Sequence, residues 1–150
     1  ITYNILNTTM TVKQISIFIE NKSGALLNVL KLLRDNGISI VISNISDTAD
    51  FGIYRIICSD TEKAYHKLRD KNINVTLSDV HAIRLKDNKV GAAADVMTLI
   101  TEAGVGIKYM YSFLLDGKGV LTFRADNAEK ADEVIKQNNL DFLTEADLKK

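Results

Sequence analysis

Two short stretches of this 150-residue chain repeat the same residue types at the same spacing, Asn21-Lys22-Ser23-Gly24-Ala25 and Asn88-Lys89-Val90-Gly91-Ala92. Each lies between a β-branched run and an amphipathic pattern, so each reads as a strand turning sharply through glycine into a helix. The first backbone N–H groups of such a helix lack intrahelical partners, and the helix dipole adds partial positive charge there. A carboxylate fits that position. Gly24 and Gly91 let a ligand approach the main chain closely, while Asn21 and Asn88 carry amides that donate to carboxylate or accept from ammonium. An α-amino acid presents both groups. The candidate binding residues are Asn21, Lys22, Ser23, Gly24, Ala25 and Leu26 in the first stretch, and Asn88, Lys89, Val90, Gly91, Ala92 and Ala93 in the second. A plainer reading competes, because Asn and Gly favour tight turns on steric grounds alone. Lys22 and Lys89 also read as solvated surface charges. The duplication of the loop favours a ligand site in at least one copy.

The elements that must position these loops are duplicated as well. The offset is 88 − 21 = 67 residues, and without a gap it carries Val29 onto Val96, Leu32 onto Leu99, Gly37 onto Gly104, Ile40 onto Ile107, Gly52 onto Gly119 and Asn72 onto Asn139. Chance does not hold register that far. In the first copy, alternating Ile15, Ile17 and Ile19 predict a strand over 12–19. Leu26, Leu27, Leu30 and Leu33, with Val29 and Leu32 beside them, predict a helix that Gly37 stops. Strands over 38–45 and 51–58 flank a polar turn at Ser46-Asp47-Thr48-Ala49-Asp50. A helix capped by Asp60 or Thr61 then runs to about Lys71, with Ala64, Tyr65 and Leu68 inside, and Ile73 to Leu77 forms a fourth strand. The second copy predicts a strand over 80–85, a helix over 91–103, strands over 105–115 and 119–125, a helix over 128–138 and a short strand over 140–143. Ser78 and Asp79 are the expected linker.

This order makes the fold class α+β: two ferredoxin-like βαββαβ domains, each an antiparallel four-stranded sheet with two helices on one face. The expected divisions are a leader or artefact over 1–9, a first domain over 10–78 and a second over 79–150. Units of this size have marginal cores of their own, and their free sheet edges predict a homodimer.

The segments NKSGALLNVLKLLRDNGISI and NKVGAAADVMTLITEAGVGI resemble the loop, helix and following strand of ACT domains. The resemblance extends from about Val12 to Leu148 and is strongest to stand-alone tandem ACT proteins. It implies a regulatory protein that binds an amino acid or similar metabolite at an interface between paired domains. It further implies that a polar residue two places beyond the helix-ending glycine reaches the ligand, which is Ser39 in the first copy and Gly106 in the second. The proline common in the family's loop is replaced by Ser23 and Val90. A second reading is a subunit that modulates an enzyme of amino-acid or aromatic-acid metabolism through its free sheet edges.

Other chemistry finds little support. His66 and His81 have no Cys, Asp or Glu at metal-ligand spacing, so neither a metal site nor a cofactor is expected. Cys58 reads as a packed thiol with nothing nearby to activate it. Tyr109, Tyr111 and Phe113 alternate along a strand, facing one way with Val105 and Ile107, and read as packing. The RNA-recognition fold shares this strand order, but GIYRIICSD and GVLTFRAD lack its basic-aromatic signature. Asp116-Gly117-Lys118-Gly119 is a hairpin turn, since no helix follows it to bind phosphate. No acid–base pair or activated nucleophile can be located, so an enzyme such as an acyl-phosphate hydrolase is disfavoured. Nineteen basic side chains balance nineteen acidic ones, which argues against nucleic acid. No apolar run approaches the ~20 residues of a membrane span. One unpaired cysteine and no recognisable signal predict the cytoplasm.

Overall fold

The computed structural model describes residues 10–47, 50–87 and 89–149. The expected leader over 1–9 lies outside the described residues, as do Thr48 and Ala49 of the predicted turn and the candidate site residue Asn88. The chain divides into two compact units, one built on residues 13–78 and the other on 79–148.

The first unit contains β1 (Val12–Glu20), α1 (Ala25–Asp35), β2 (Ile40–Asp47), β3 (Phe51–Cys58), α2 (Thr61–Asp70) and the beginning of β4 (Val75–Arg84). Its strands are ordered β2-β3-β1-β4, with Ile15 opposite Ile56 and Ile17 opposite Tyr54 in antiparallel register. The period-two alternation of β1 sends Ile15, Ile17 and Ile19 into one core with Val29 and Leu33 of α1 and Ala64 and Leu68 of α2. The buried stripe of α1 therefore centres on Val29 and Leu33. Leu27, expected within it, is 52% exposed, because two residues of helix turn it about 160° away from Val29. Gly37, at φ 69°, ends α1 as expected. Asp60 caps α2 by accepting the Lys63 N–H at 3.1 Å.

The second unit continues β4 and adds α3 (Ala92–Glu102), β5 (Ile107–Leu115), β6 (Lys118–Ala125), α4 (Ala128–Gln137) and α5 (Glu145–Leu148), with strand order β4-β6-β5. Phe123, Leu121 and Ile83 pack against Ile100 of α3 and Ile135 of α4. Asn127 caps α4 through the Lys130 N–H at 3.1 Å, repeating the Asp60 cap 67 positions later (127 − 60).

Three further expectations change. Ser78 and Asp79 are not a linker: they lie within β4, whose sequence VTLSDVHAIR contains no glycine, proline or asparagine to break a strand. The predicted strand over 140–143 shrinks to a bridge between Ile83 and Phe142, flanked by Arg84 N–H to the Asp141 carbonyl (2.7 Å) and Leu143 N–H to the Ala82 carbonyl (2.8 Å). The chain then enters α5, which was not predicted. Thr144 opens that helix, its N–H and hydroxyl both donating to the Asp147 carboxylate at 2.9 and 3.0 Å.

The third change concerns the aromatic row. A β-bulge between Ile107 and Tyr109 inverts the facing of β5. Ile107 stays with the helix-side core, whereas Tyr109, Tyr111 and Phe113 share the opposite face with Arg124, Thr122 and Val120. The row and Ile107 therefore do not face one way. β2 carries the same bulge between Ile40 and Ile42, again 67 positions earlier (107 − 40).

Next to these bulges the two copies solve one problem differently. The Ser39 N–H donates to Ser59 Oγ at 2.9 Å, and the Ser59 N–H returns to the Ser39 carbonyl at 2.8 Å. In the second copy the Gly106 N–H donates to Asp126 Oδ1 at 2.9 Å, and a Cβ on Gly106 would lie 2.5 Å from Asp126 Oδ2. The larger acid fits because residue 106 has no side chain. Gly106→Ala should cost about 1 kcal/mol in urea denaturation, the worth of the displaced hydrogen bond. The same change in an Asp126→Ser background should be nearly neutral, because it recreates the room of the first copy.

Candidate ligand site

In both copies the chain enters its leading helix through a left-handed glycine, Gly24 at φ 84° and Gly91 at φ 87°. No side chain caps either helix start. The first amide is already in use: the Ala25 N–H donates to the Lys22 carbonyl at 3.2 Å and the Ala92 N–H to the Lys89 carbonyl at 3.3 Å. The helical ladder begins with Asn28 N–H to the Gly24 carbonyl and Asp95 N–H to the Gly91 carbonyl, both at 2.9 Å. The amides between these points, on Leu26 and Leu27 and on Ala93 and Ala94, have no intrahelical acceptor. They are the donors that a carboxylate would meet.

Asn21, Lys22 and Ser23 are exposed, whereas Ala25 and Leu26 are half-buried. Lys22 Nζ lies 2.5 Å from Glu20 Oε2, and hydrogen bonding and charge from that carboxylate hold the ammonium above its ordinary 10.5. In the second copy Lys89 and Gly91 are exposed, Ala92 and Ala93 are half-buried, and Val90 is fully exposed. Lys89 Nζ stands 3.5 Å from the Asp95 carboxylate.

The first loop opens onto a groove of about 1030 Å³ between the end of β1, the start of α1 and the connection from α2 to β4. Phe18, Leu32, Phe51 and Ile73 give it apolar walls, and Asn28 and Asn74 line it with amides. The Phe18 and Phe51 rings meet at 5.6 Å between centroids. The second loop borders a groove of about 230 Å³. The two grooves occupy the same place in the repeat, since Lys89, Asp95 and Asp141 fall 67 positions after Lys22, Asn28 and Asn74.

Within one unit Ser39 does not join the loop. It lies at the far end of α1, with its N–H held by Ser59, and it does not line the groove. Phe18, Phe51, Ile73 and Asn74 escaped sequence reading, because chain topology and not a local motif brings them to the loop. Asn28 had a readable signal, as a polar residue in the first turn after the glycine.

The two histidines and the cysteine line neither groove. His81 is fully buried, its Nε2 2.7 Å from Asp132 Oδ1 and its ring stacked on Phe123 at 5.3 Å. His66 is on the surface, 4.0 Å from Glu62. Among the described residues, no group of three or more His, Cys, Asp or Glu could hold a metal, and no helix is long and apolar enough to cross a membrane. Cys58 is buried at the end of β3. Burial pushes its thiol above the ordinary 9.0, partly offset by hydrogen bonds with the Asp60 main chain and Thr61.

Three measurements check these assignments. A Cβ on Gly24 would touch nothing within 4 Å, so Gly24→Ala should show backbone strain alone, about 1–2 kcal/mol in urea denaturation. Gly24→Asn should cost less. For Cys58 the folded value lies above the unfolded one, so its contribution is full below the unfolded value and is lost as pH rises through the folded value. Stability should therefore fall in the alkaline range as the unfolded chain ionises first, and Cys58→Ala should flatten that fall. A thiol reagent should label Cys58 only after denaturation.

Among curated proteins none matches this chain. A crystal structure of a Bacteroides thetaiotaomicron protein superposes with a TM-score of 0.87 at 41% identity, covering 94% of this chain and 97% of that one. Regulatory subunits of aspartate kinase from Thermus thermophilus and Thermus flavus share the fold at TM-scores of 0.60 and 0.58. Their identities are 14% and 16%, and each match covers 85% of this chain and 92% of the other. The duplicated helix entries, bulges and caps belong to a sequence that matches the ACT domain pair family over residues 10–150, and the chain is a member of that family.

Proposed function

We propose that this protein is a regulatory, non-catalytic sensor that binds an amino acid at an interface of paired ACT domains, which we assign to residues 10–78 and 79–150. The observation carrying this reading is the uncapped helix entry behind a left-handed glycine, with free amides at its first turn and a groove alongside. Its donors suit the carboxylate of the ligand, and the amide of Asn21 suits its ammonium group. The cytoplasm suits a chain whose one thiol is unpaired.

A homodimer is part of the proposal. The strand orders leave β2 and β5 at edges, and Ile45, Met110 and Leu114 are exposed along them. Such edges pair readily with another strand. They equally support a second reading, a subunit that docks on an enzyme, as the two Thermus proteins are regulatory subunits of aspartate kinase.

Melting the protein with each of the twenty amino acids tests the first reading. A ligand at a hundred times its dissociation constant stabilises the folded state by about 2.7 kcal/mol, a clear rise in midpoint. If no amino acid raises the midpoint and calorimetry records no heat, the sensor reading fails. Recovery of a stoichiometric enzyme from native lysate by such a protein would support the docking reading in its place.

A further inference from the structure

We infer that the two grooves are not equivalent: the first is the one that takes the amino acid, and Asp95 closes the second to it. This rests on the amino-acid reading above and deepens it, by naming the occupied copy and the residue that decides.

The sequence offset makes the two grooves a matched pair, so their differences can be read position by position. The first, at about 1030 Å³, lies at the upper end of the range of small-molecule sites, while the second, at about 230 Å³, lies below it. Asn28 puts a neutral amide on the first turn of α1, and its side chain makes no hydrogen bond among the described residues. Asp95 puts a carboxylate at the same point of α3. An incoming carboxylate aimed at the Ala93 and Ala94 amides would meet that fixed negative charge within one turn of helix, and like charges at such range repel.

The neighbouring cations do not cancel the difference. Lys89 already faces Asp95 at 3.5 Å, whereas Lys22 turns to Glu20, on the strand side of its loop. Both pairs are well exposed, so neither holds its partner strongly, and the distinction comes from where the carboxylate sits. Asp141 in place of Asn74 puts a second negative charge in the second groove.

Isothermal titration of the full chain decides the matter, using an equimolar mixture of the twenty standard L-amino acids and then each alone. One site per chain is expected. Asn28→Asp should weaken it by roughly tenfold or more, the size of a like charge at contact range, whereas Gln137→Glu, the same change of charge at an exposed residue that lines neither groove, should leave it unchanged. Asp95→Asn should bring the stoichiometry toward two. Two equal sites in the natural protein, or equal losses in Asn28→Asp and Gln137→Glu, would overturn the inference while leaving the sensor reading intact. Absence of any binding overturns both.

Discussion

A chain that leaves a buried strand and must re-enter the same core as a helix has only a few residues in which to reverse. That reversal requires a backbone with positive φ, and Gly24 and Gly91 supply it at 84° and 87°. Left-handed geometry is open to glycine at little cost and strains nearly every other residue. Several features follow from this one constraint. The helix begins immediately after the turn, its first carbonyl acceptor is the glycine itself, and no preceding side chain is aimed to cap it. The amides left without acceptors are thus a by-product of how the strand is joined to the helix. Main-chain donors at this place need no residue beyond those that build the fold.

The same economy explains why other backbone solutions recur at a fixed interval. The bulges of β2 and β5, the side-chain caps of α2 and α4, and the left-handed Asn72 and Asn139 all fall 67 positions apart. Each solves a problem set by topology. A bulge turns the edge strand so that Ile40 and Ile107 face the helices while Ile42 and Tyr109, two places on, face away. An N-cap satisfies an amide that would otherwise be lost at the start of the returning helix. Two copies of one topology pose these problems twice at the same places.

Most of the architecture was legible because it is written in short-range patterns. The Ile15-Ile17-Ile19 alternation and the stops at Gly37 and Gly104 require only neighbouring residues, and the repeat requires only residue identities at one fixed offset. What stayed hidden depends on pairing between distant segments. The inversion at Tyr109 follows from an extra residue against Arg124, which no local period reveals. The continuity of β4 through Ser78 and Asp79 overrides their ordinary preference for turns. The loop could be read as a candidate site from its glycine and asparagine. The apolar walls Phe18, Phe51 and Ile73 could not, because they come from three separate elements.

Comparing the copies separates what folding requires from what is free to vary. Where the backbone is constrained, residue type is kept: glycine at 24 and 91, glycine at 37 and 104, asparagine at 72 and 139. Among residues that line both grooves, Lys22, Ala25, Val29 and Leu32 recur as Lys89, Ala92, Val96 and Leu99, whereas Ile19 becomes Lys86, Asn28 becomes Asp95 and Asn74 becomes Asp141. None of these substitutions alters a turn or a cap, and of the residues replaced only Ile19 also packs in the core of its unit. Once a duplicated unit satisfies its backbone twice, the residues around the helix entry can diverge at little cost to stability. The chemistry of the two grooves can then be set separately.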